Sequence, residues 1–128
     1  MDLMKGKKGL IMGVANERSI AWGISQKLAS AGAELAFTYL GEALKKRVIP
    51  LAKSLNSDFT LSCNVENKNE IIKLFDDIKS KWGQIDFVVH AVAFSDKSEL
   101  SGDYLDTTRE NFLKSMLISC FSFTEVAK

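Results

Sequence analysis

Short apolar runs alternate with segments of helical periodicity along most of this chain. A run in which nearly every residue is apolar is typical of a parallel strand that is covered on both faces. Such runs predict four strands, at residues 8–14, 33–39, 58–63 and 85–90. Apolar residues at helical spacing predict helices between and after them, at residues 19–31, 42–55, 67–83 and from about 107 to the end.

The first three predicted helices have apolar stripes. The stripe residues are Ile20, Ile24, Leu28 and Ala31 in the first helix, Leu44, Val48, Leu51 and Leu55 in the second, and Ile71, Phe75, Ile78 and Trp82 in the third. Pro50 lies inside the second stripe and predicts a kink or a break, because proline removes a backbone donor. Asn67 with Glu70, and Thr107 with Glu110, have the spacing of capping boxes that begin helices.

Four strands that alternate with helices indicate an α/β fold with a parallel sheet and right-handed crossovers. We predict the strand order 3-2-1-4, which is the first part of a doubly wound, Rossmann-like dinucleotide-binding fold. The last helix is apolar nearly all round, so both of its sides should be covered, one of them by another subunit or by further chain. We therefore expect residues 1–128 to form the N-terminal part of a single dinucleotide-binding domain.

Composition and charge narrow the class of protein further. Seventeen basic and sixteen acidic residues give a net charge of +1, which disfavours nucleic-acid binding through a basic face. No apolar run approaches the roughly 20 residues of a transmembrane helix, and the N-terminal segment lacks the features of a signal peptide. Cys63, Cys120 and the single histidine, His90, form no zinc-ligand set. These features favour a cytoplasmic protein with reduced thiols and no metal.

The candidate chemistry lies where the first predicted strand ends. Gly13 ends that strand, and Ser19 stands where the following helix begins. A glycine there lets a phosphate approach the backbone, and the start of the helix offers free N–H groups and a positive dipole end. The Ser19 hydroxyl could donate to the same phosphate, although a simple N-cap role explains it equally well. Neither G-x-G-x-x-G nor a P-loop motif is present.

The segment GVANERSIAWGISQKLASAGAELAFTY resembles the enoyl-acyl-carrier-protein reductases of bacterial fatty-acid synthesis, which are divergent short-chain dehydrogenase/reductases. The resemblance continues through Cys63, Asn64 and Val65, through the sequence HAVAFS at 90–95, and through GDY at 102–104. It implies an oxidoreductase that transfers a hydride from NADH to the β-carbon of a trans-2-enoyl thioester on acyl carrier protein. It also implies a cytoplasmic homotetramer and covers about half of such an enzyme.

The resemblance also implies roles for individual residues. The implied cofactor contacts are Gly13, Ala15, Ser19 and Ile20 at the pyrophosphate and nicotinamide side, Leu40 at the adenosine ribose, Asn64 and Val65 at the adenine, Ala91, Val92 and Ala93 from the ribose toward the nicotinamide, and Ile118 packed on the cofactor. Phe94 and Ser95 would border the acyl substrate, and the loop from 94 to 106 would form part of its wall.

Three positions depart from the family pattern or leave it open. Asn64 stands where many members have Asp, Ala93 where many have Gly, and Leu40 is neither an acid for a free ribose 2′-OH nor an arginine for a 2′-phosphate. The amide of Asn64 still offers an acceptor oxygen to the adenine amino group. Glu42 would repel a 2′-phosphate, although the basic residues 45–47 follow it, and we therefore favour NADH over NADPH.

No catalytic residue is assigned in this chain. The family's tyrosine and lysine, which have six residues between them (Y-x6-K), lie beyond position 128, and we expect the 128 residues alone to be inactive. Tyr39 and Lys46 have the same spacing, but a tyrosine at the end of the second strand is too far from the nicotinamide side. Two alternatives remain: another short-chain reductase that acts on a carbonyl, or a non-catalytic nucleotide-binding domain. Carbonyl reductases usually carry N-A-G after the fourth strand, where this chain has Val92, Ala93 and Phe94.

Overall fold

The computed structural model describes residues 2–128, which divide into two compact units, residues 2–91 and Val92–Lys128. The first unit contains all four strands and three helices. They are β1 (Lys8–Met12), α1 (Ile20–Ser30), β2 (Glu34–Tyr39), α2 (Glu42–Ser54), β3 (Thr60–Ser62), α3 (Lys68–Trp82) and β4 (Phe87–His90).

The four strands form one parallel sheet in the order β3-β2-β1-β4, which confirms the predicted fold class and strand order. The central strand β1 pairs with β2 through Ile11 and Phe37 and with β4 through Gly9 and Phe87. A side chain at Gly9 would overlap the Phe87 ring. The absence of a side chain at this position therefore lets the ring of Phe87 pack over β1.

The strands are shorter than the apolar runs that predict them. β1 ends at Met12 rather than at residue 14, because Gly13 adopts a φ of 111° that no strand can continue. β3 is reduced to three residues, but the pairing with β2 extends beyond it. The Phe37 N–H donates to the Phe59 carbonyl (2.9 Å), and the Cys63 N–H donates to the Tyr39 carbonyl (3.0 Å).

The core on one side of the sheet joins β1 and β2 to α1 and α2. Its buried members are Ile11, Val14, Ala21, Trp22, Leu35, Phe37, Val48 and Ala52. Leu10, Met12 and Ala36 are also buried, and the alternation of side chains along a strand directs them to the opposite face. A right-handed crossover from β3 to β4 places α3 on that opposite face, with Ile71, Leu74 and Ile78 buried.

The structure corrects three details of the predicted helices. In α1 the buried residues are Ala21, Trp22 and Ser25, whereas Ile20 and Ile24 are exposed, so half of the predicted stripe is wrong. Helix α2 continues through Pro50 without a break. In α3 the stripe includes Leu74, and the half-buried Trp82 packs edge-on against Phe59 rather than within the core (ring centroids 5.0 Å apart).

The second unit is a loop followed by helical chain. The loop includes single-turn 3₁₀ helices at Lys97–Glu99 and Tyr104–Asp106, followed by α4 (Arg109–Met116), a π-helical segment (Leu117–Phe121) and α5 (Ser122–Ala127). The N-cap of α4 is Thr108, not the predicted Thr107, and its hydroxyl oxygen accepts from the Asn111 N–H (3.2 Å). The predicted partner Glu110 is not involved. Glu99 instead accepts from the N–H and the hydroxyl of Thr108, at 2.7 and 2.6 Å.

Apolar side chains cover much of the surface of the last helical stretch, as predicted. Phe112, Leu113, Met116, Phe121 and Phe123 are each about half exposed, while Ile118 and Val126 are buried. Within residues 2–128, no helix is both long enough and apolar enough to span a membrane.

Candidate functional site

The carboxyl ends of the four strands meet at one edge of the sheet, because all four run in the same direction. Gly13, Leu40, Cys63 and Ala91 each come directly after a strand at that edge. In open α/β sheets ligands bind outside this edge, next to the turns that lead into the helices. The sequence-predicted residues of the first unit are therefore brought together on one side of the molecule.

Ser19 organises the turn between β1 and α1. Its hydroxyl oxygen accepts from the N–H groups of Ala15 (2.9 Å) and Asn16 (3.1 Å). Ser19 occupies the N-cap position, but its side chain makes no capping bond to the helix. A hydroxyl group has two acceptor lone pairs and one donor proton, and both lone pairs are used here. The O–H of Ser19 therefore remains as a donor whose direction is set by the turn.

A second donor lies beside Ser19. The N–H groups of Trp22 and Gly23 both donate to the Ser19 carbonyl, whereas the Ile20 N–H has no hydrogen-bond partner among residues 2–128. The side chain of Ile20 is 80% exposed. An unpaired N–H at the positive end of an eleven-residue helix, together with a directed hydroxyl, suits an anionic group such as a phosphate.

Gly13 is required by the packing of two strand ends. A side chain at this position would collide with the carbonyl group of Ala91, whose own N–H donates to the Met12 carbonyl (2.9 Å). The space freed by the glycine is thus occupied by the backbone that follows β4. The expectation that Gly13 admits a phosphate to the backbone stays a prediction.

Asn64 is held by three hydrogen bonds in the turn after β3. Its N–H donates to Glu70 Oε1 (3.1 Å), its carbonyl accepts from the Asn67 N–H (3.0 Å), and its side-chain oxygen accepts from the Glu66 N–H (3.0 Å). The reciprocal bond of the predicted capping box is therefore absent: Glu70 reaches back to Asn64 rather than to Asn67. Glu70 is a positioning residue that the capping-box spacing detected but assigned to the wrong partner.

The remaining predicted residues of the first unit differ in exposure. Leu40 is half exposed at the end of β2, whereas Val65 is buried. Three basic residues, Arg18, Lys46 and Arg47, and one acidic residue, Glu17, line a groove of about 590 Å³ that also borders the turn after β1. A positive groove next to the turn favours a ligand that carries negative charge.

The second unit carries the rest of the predicted residues. Val92 and Ser95 are half-buried, Ala93 and Phe94 are exposed, and Ile118 is buried in the π-helical segment. The backbone of Phe94 is bonded to Ser119, a residue that no sequence motif singled out.

The family model described as Enoyl-(Acyl carrier protein) reductase matches residues 13–128. This chain belongs to the enoyl-acyl-carrier-protein reductase family. It is similar to the enoyl-[acyl-carrier-protein] reductase [NADH] 2 of Rhizobium meliloti strain 1021, with 65% identity over 126 residues that cover 98% of the chain and 47% of the relative. A reductase [NADH] FabI of Rickettsia felis is 52% identical over 98% of the chain and 48% of its own length.

Solved structures of enoyl-acyl-carrier-protein reductases give the same picture. FabI from Candidatus Liberibacter asiaticus superposes with a TM-score of 0.97 at 57% identity, covering 99% of this chain and 49% of that one. The Anaplasma phagocytophilum reductase, solved in complex with NAD, has a TM-score of 0.93 at 55% identity and covers 98% and 48%. This member of the reductase family thus spans about half the length of the relatives that it matches.

Cys63 is an inert member of this edge of the reductase fold. It is buried, and burial, with a smaller contribution from the Glu70 carboxylate, raises the pKa of its thiol to about 11. Only roughly one Cys63 in a thousand is then a thiolate at pH 8, and the thiolate is the reactive form. Cys63 is therefore a small buried residue of this edge rather than a nucleophile.

We expect Cys63 in the Cys120→Ser variant, followed by mass spectrometry of its own peptide, to react with a thiol reagent at pH 8 at least about a hundredfold more slowly than free cysteine. The rate should rise with pH towards 11 and reach the free-cysteine value in denaturant. Rapid labelling of the folded variant at pH 8 would contradict this account of the environment of Cys63.

Proposed function

We propose that this chain supplies the cofactor-binding part of an NADH-dependent enoyl-acyl-carrier-protein reductase. The complete protein would transfer a hydride from C4 of NADH to the β-carbon of a trans-2-enoyl thioester carried by acyl carrier protein. The observation that carries the proposal is the turn after β1, where the Ser19 hydroxyl and the Ile20 N–H are unused donors on adjacent residues. A dinucleotide pyrophosphate is an anion that fits two such donors at a helix N-terminus.

The cofactor would lie along the carboxyl edge of the sheet in the first unit. The Ser19 hydroxyl and the Ile20 N–H would donate to the pyrophosphate, while Gly13, Ala15 and Ala91 shape the backbone around it. The exposed side chain of Leu40 would contact the adenosine ribose, and Asn64 and Val65 would bind the adenine.

Asn64 would bind the adenine through different hydrogen bonds from those of the aspartate that many members of the family have at this position. Its side-chain oxygen already accepts from the Glu66 N–H, and its amide nitrogen has no partner among the described residues. The amide N–H therefore offers a donor that aspartate lacks, and a second lone pair of its oxygen remains for the adenine amino group.

The resemblance supports further roles for residues of the second unit. We propose that Val92, Ala93 and Ile118 contact the cofactor, and that Phe94 and Ser95 border the acyl chain. When bound, NADH supplies the hydride, and the residues of this chain bind and orient it. No catalytic residue is proposed among residues 1–128.

The charge around β2 and α2 favours NADH over NADPH. Glu42 begins α2 with an 80% exposed carboxylate, and its nearest cation, Lys45, is 3.9 Å away. A 2′-phosphate at the end of β2 would lie close to this carboxylate, and no arginine stands at position 40 or 41 to receive it.

The complete enzyme is proposed to be a cytoplasmic homotetramer, of which residues 1–128 form the N-terminal part of a single domain. The N-terminal position of residues 1–128 is supported by the coverage of only about half of each relative. The oligomer is supported by the half-exposed apolar side chains of α4, the π segment and α5, because large exposed apolar patches mark interaction surfaces.

Activity of the protein expressed from its complete gene tests the proposal. We expect oxidation of NADH that depends on an enoyl thioester, with much slower oxidation of NADPH, and an intact mass near twice 14.2 kDa. The 128-residue segment expressed alone serves as the control and should give no turnover. Reduction of a β-ketoacyl thioester instead of the enoyl thioester would favour a carbonyl reductase, and the absence of both activities with tight NADH binding would favour a non-catalytic domain.

A further inference from the structure

Two polar side chains of the last helical stretch hold the loop at residues 94–96. The Phe94 N–H donates to Ser119 Oγ (3.0 Å), and the Ser119 hydroxyl lies 3.3 Å from the Phe94 carbonyl oxygen, to which it donates. The Asp96 N–H donates to Asn111 Oδ1 (2.9 Å), and Asn111 Nδ2 donates to Ser95 Oγ (3.0 Å). Four hydrogen bonds thus fix three consecutive loop residues.

Asn111 is itself firmly held. It is only 4% exposed, and its backbone N–H is bonded to the Thr108 hydroxyl oxygen, which is the N-cap of α4. Thr108 is in turn bonded twice to Glu99. The hydrogen bonds to that carboxylate lower the pKa of Glu99, so it remains charged and keeps accepting at neutral pH. Asp96 and Glu99 are therefore both tied to the beginning of α4.

The π-helical segment brings Ser119 to the same loop. Residues eight positions apart in a regular α-helix differ by about 80° around the axis, so Ser119 would lie at the margin of the face that carries Asn111. The wider turn of Leu117–Phe121 reduces the rotation per residue and turns Ser119 towards the face of Asn111. A widened turn at this point of the helix thus has a definite structural effect.

Lys114 adds a weaker contact from the same helix. Its ammonium group lies 4.6 Å from the centroid of the Phe94 ring and 3.8 Å from the Asp96 carboxylate. Because all three side chains are substantially exposed, this contact contributes little compared with the hydrogen bonds.

We propose that Ser119 and Asn111 are positioning residues that set the acyl-substrate affinity by fixing the backbone of Phe94, Ser95 and Asp96. The inference rests on the proposed function, in which Phe94 and Ser95 border the acyl chain. The Phe94 side chain is 42% exposed, so its orientation depends on its own backbone rather than on surrounding packing. Loss of the Ser119 hydroxyl frees that backbone and lets Phe94 leave the wall of the substrate site.

The test compares Ser119→Ala with Ser119→Thr and Ser115→Ala in the protein expressed from its complete gene. Ser115 lies on the same helical stretch, and its hydroxyl is buried without a hydrogen-bond partner among residues 2–128, so its removal is a matched control. Steady-state kinetics measures the KM for the enoyl thioester, the KM for NADH and kcat. Hydrogen exchange of the peptide that contains Phe94 and Asp96 measures the loop directly and requires no activity.

Ser119→Ala should raise the KM for the enoyl thioester about fivefold to tenfold, with kcat and the KM for NADH changed less than about twofold. It should also speed exchange of the 94–96 amides about fivefold or more. Ser119→Thr should restore both values, and Ser115→Ala should match the wild type. Unchanged hydrogen exchange in Ser119→Ala overturns the inference. Faster exchange also overturns it if the KM for the thioester is unchanged, or if the KM for the thioester and the KM for NADH rise equally. Faster exchange in a protein whose wild type shows no reductase activity overturns the proposed function, and the substrate role falls with it.

Discussion

Gly13→Ala is expected to destabilise the first unit more than any other single substitution considered for this chain. Gly13 adopts a φ of 111°, which side-chain-bearing residues rarely adopt, and a new Cβ would overlap the carbonyl group of Ala91. The backbone of Ala91 is held to β1 by its hydrogen bond to Met12 and cannot move aside as a flexible side chain can. The strain and the overlap together should lower the free energy of unfolding by about 3–5 kcal/mol. Urea unfolding of the purified protein, or its soluble yield, measures the loss.

Two other glycines separate the causes of that loss. Gly23 lies within α1 with open space around it, so Gly23→Ala should be neutral or stabilise by up to about 1 kcal/mol. Gly41 has a φ of 84° and a ψ of 159°, a backbone region that essentially only glycine occupies, and it also faces open space, so Gly41→Ala introduces the backbone strain alone, about 1–3 kcal/mol. If Gly13→Ala proves no worse than Gly41→Ala, the close approach of Ala91 does not constrain the strand end.

Ser19→Ala should have the largest effect on cofactor affinity. The substitution would remove the proposed hydrogen bond to the pyrophosphate, and it leaves the N–H groups of Ala15 and Asn16 without their acceptor. A hydrogen bond to a charged group contributes about 1.5–3 kcal/mol, so the dissociation constant for NADH should rise roughly 10-fold to 150-fold. Fluorescence titration with NADH gives this constant, and the stabilisation by NADH in thermal unfolding should shrink correspondingly.

Ser30→Ala provides the matched control at the far end of the same helix. The Ser30 hydroxyl donates to the Lys27 carbonyl on the exposed surface, away from the carboxyl edge of the sheet. This variant should bind NADH as the wild type does, and Ser19→Thr, which keeps a hydroxyl, should lie between the two. An unaltered NADH affinity in Ser19→Ala would remove the main support for the proposed pyrophosphate position.

The pattern of apolar runs was sufficient for the strands and their order, but it misplaced the buried face of α1. Ile20 and Ile24 are exposed, while Ser25 is completely buried. The Ser25 hydroxyl donates to the Ala21 carbonyl of its own helix (2.7 Å), which allows its burial. A pattern that counts every serine as polar cannot detect a hydroxyl that is satisfied within its own helix.

Local spacing identified the turns of the candidate site but not the partners within them. Glu70 and Thr108 both lie where helices begin, yet Glu70 bonds Asn64 and Thr108 bonds Glu99. The contacts that hold the loop at 94–96 join residues 15 to 25 positions apart. Such pairs depend on the tertiary fold of the loop and the helix, and the periodicity of a single sequence contains no information on which distant residues meet.

The position of β1 in the middle of the sheet has a consequence for synthesis of the chain. One edge of β1 pairs with β2, which is synthesised soon after it. The other edge stays unpaired until Phe87 and its neighbours in β4 have been synthesised. At roughly 5–20 residues per second, a ribosome needs several seconds to add the intervening residues. During that interval the nascent chain exposes unpaired backbone groups on a strand whose residues Leu10, Ile11 and Met12 are buried in the folded protein. Protection of that strand by a chaperone, or rapid elongation through β4, would therefore determine how much of the newly made protein folds correctly.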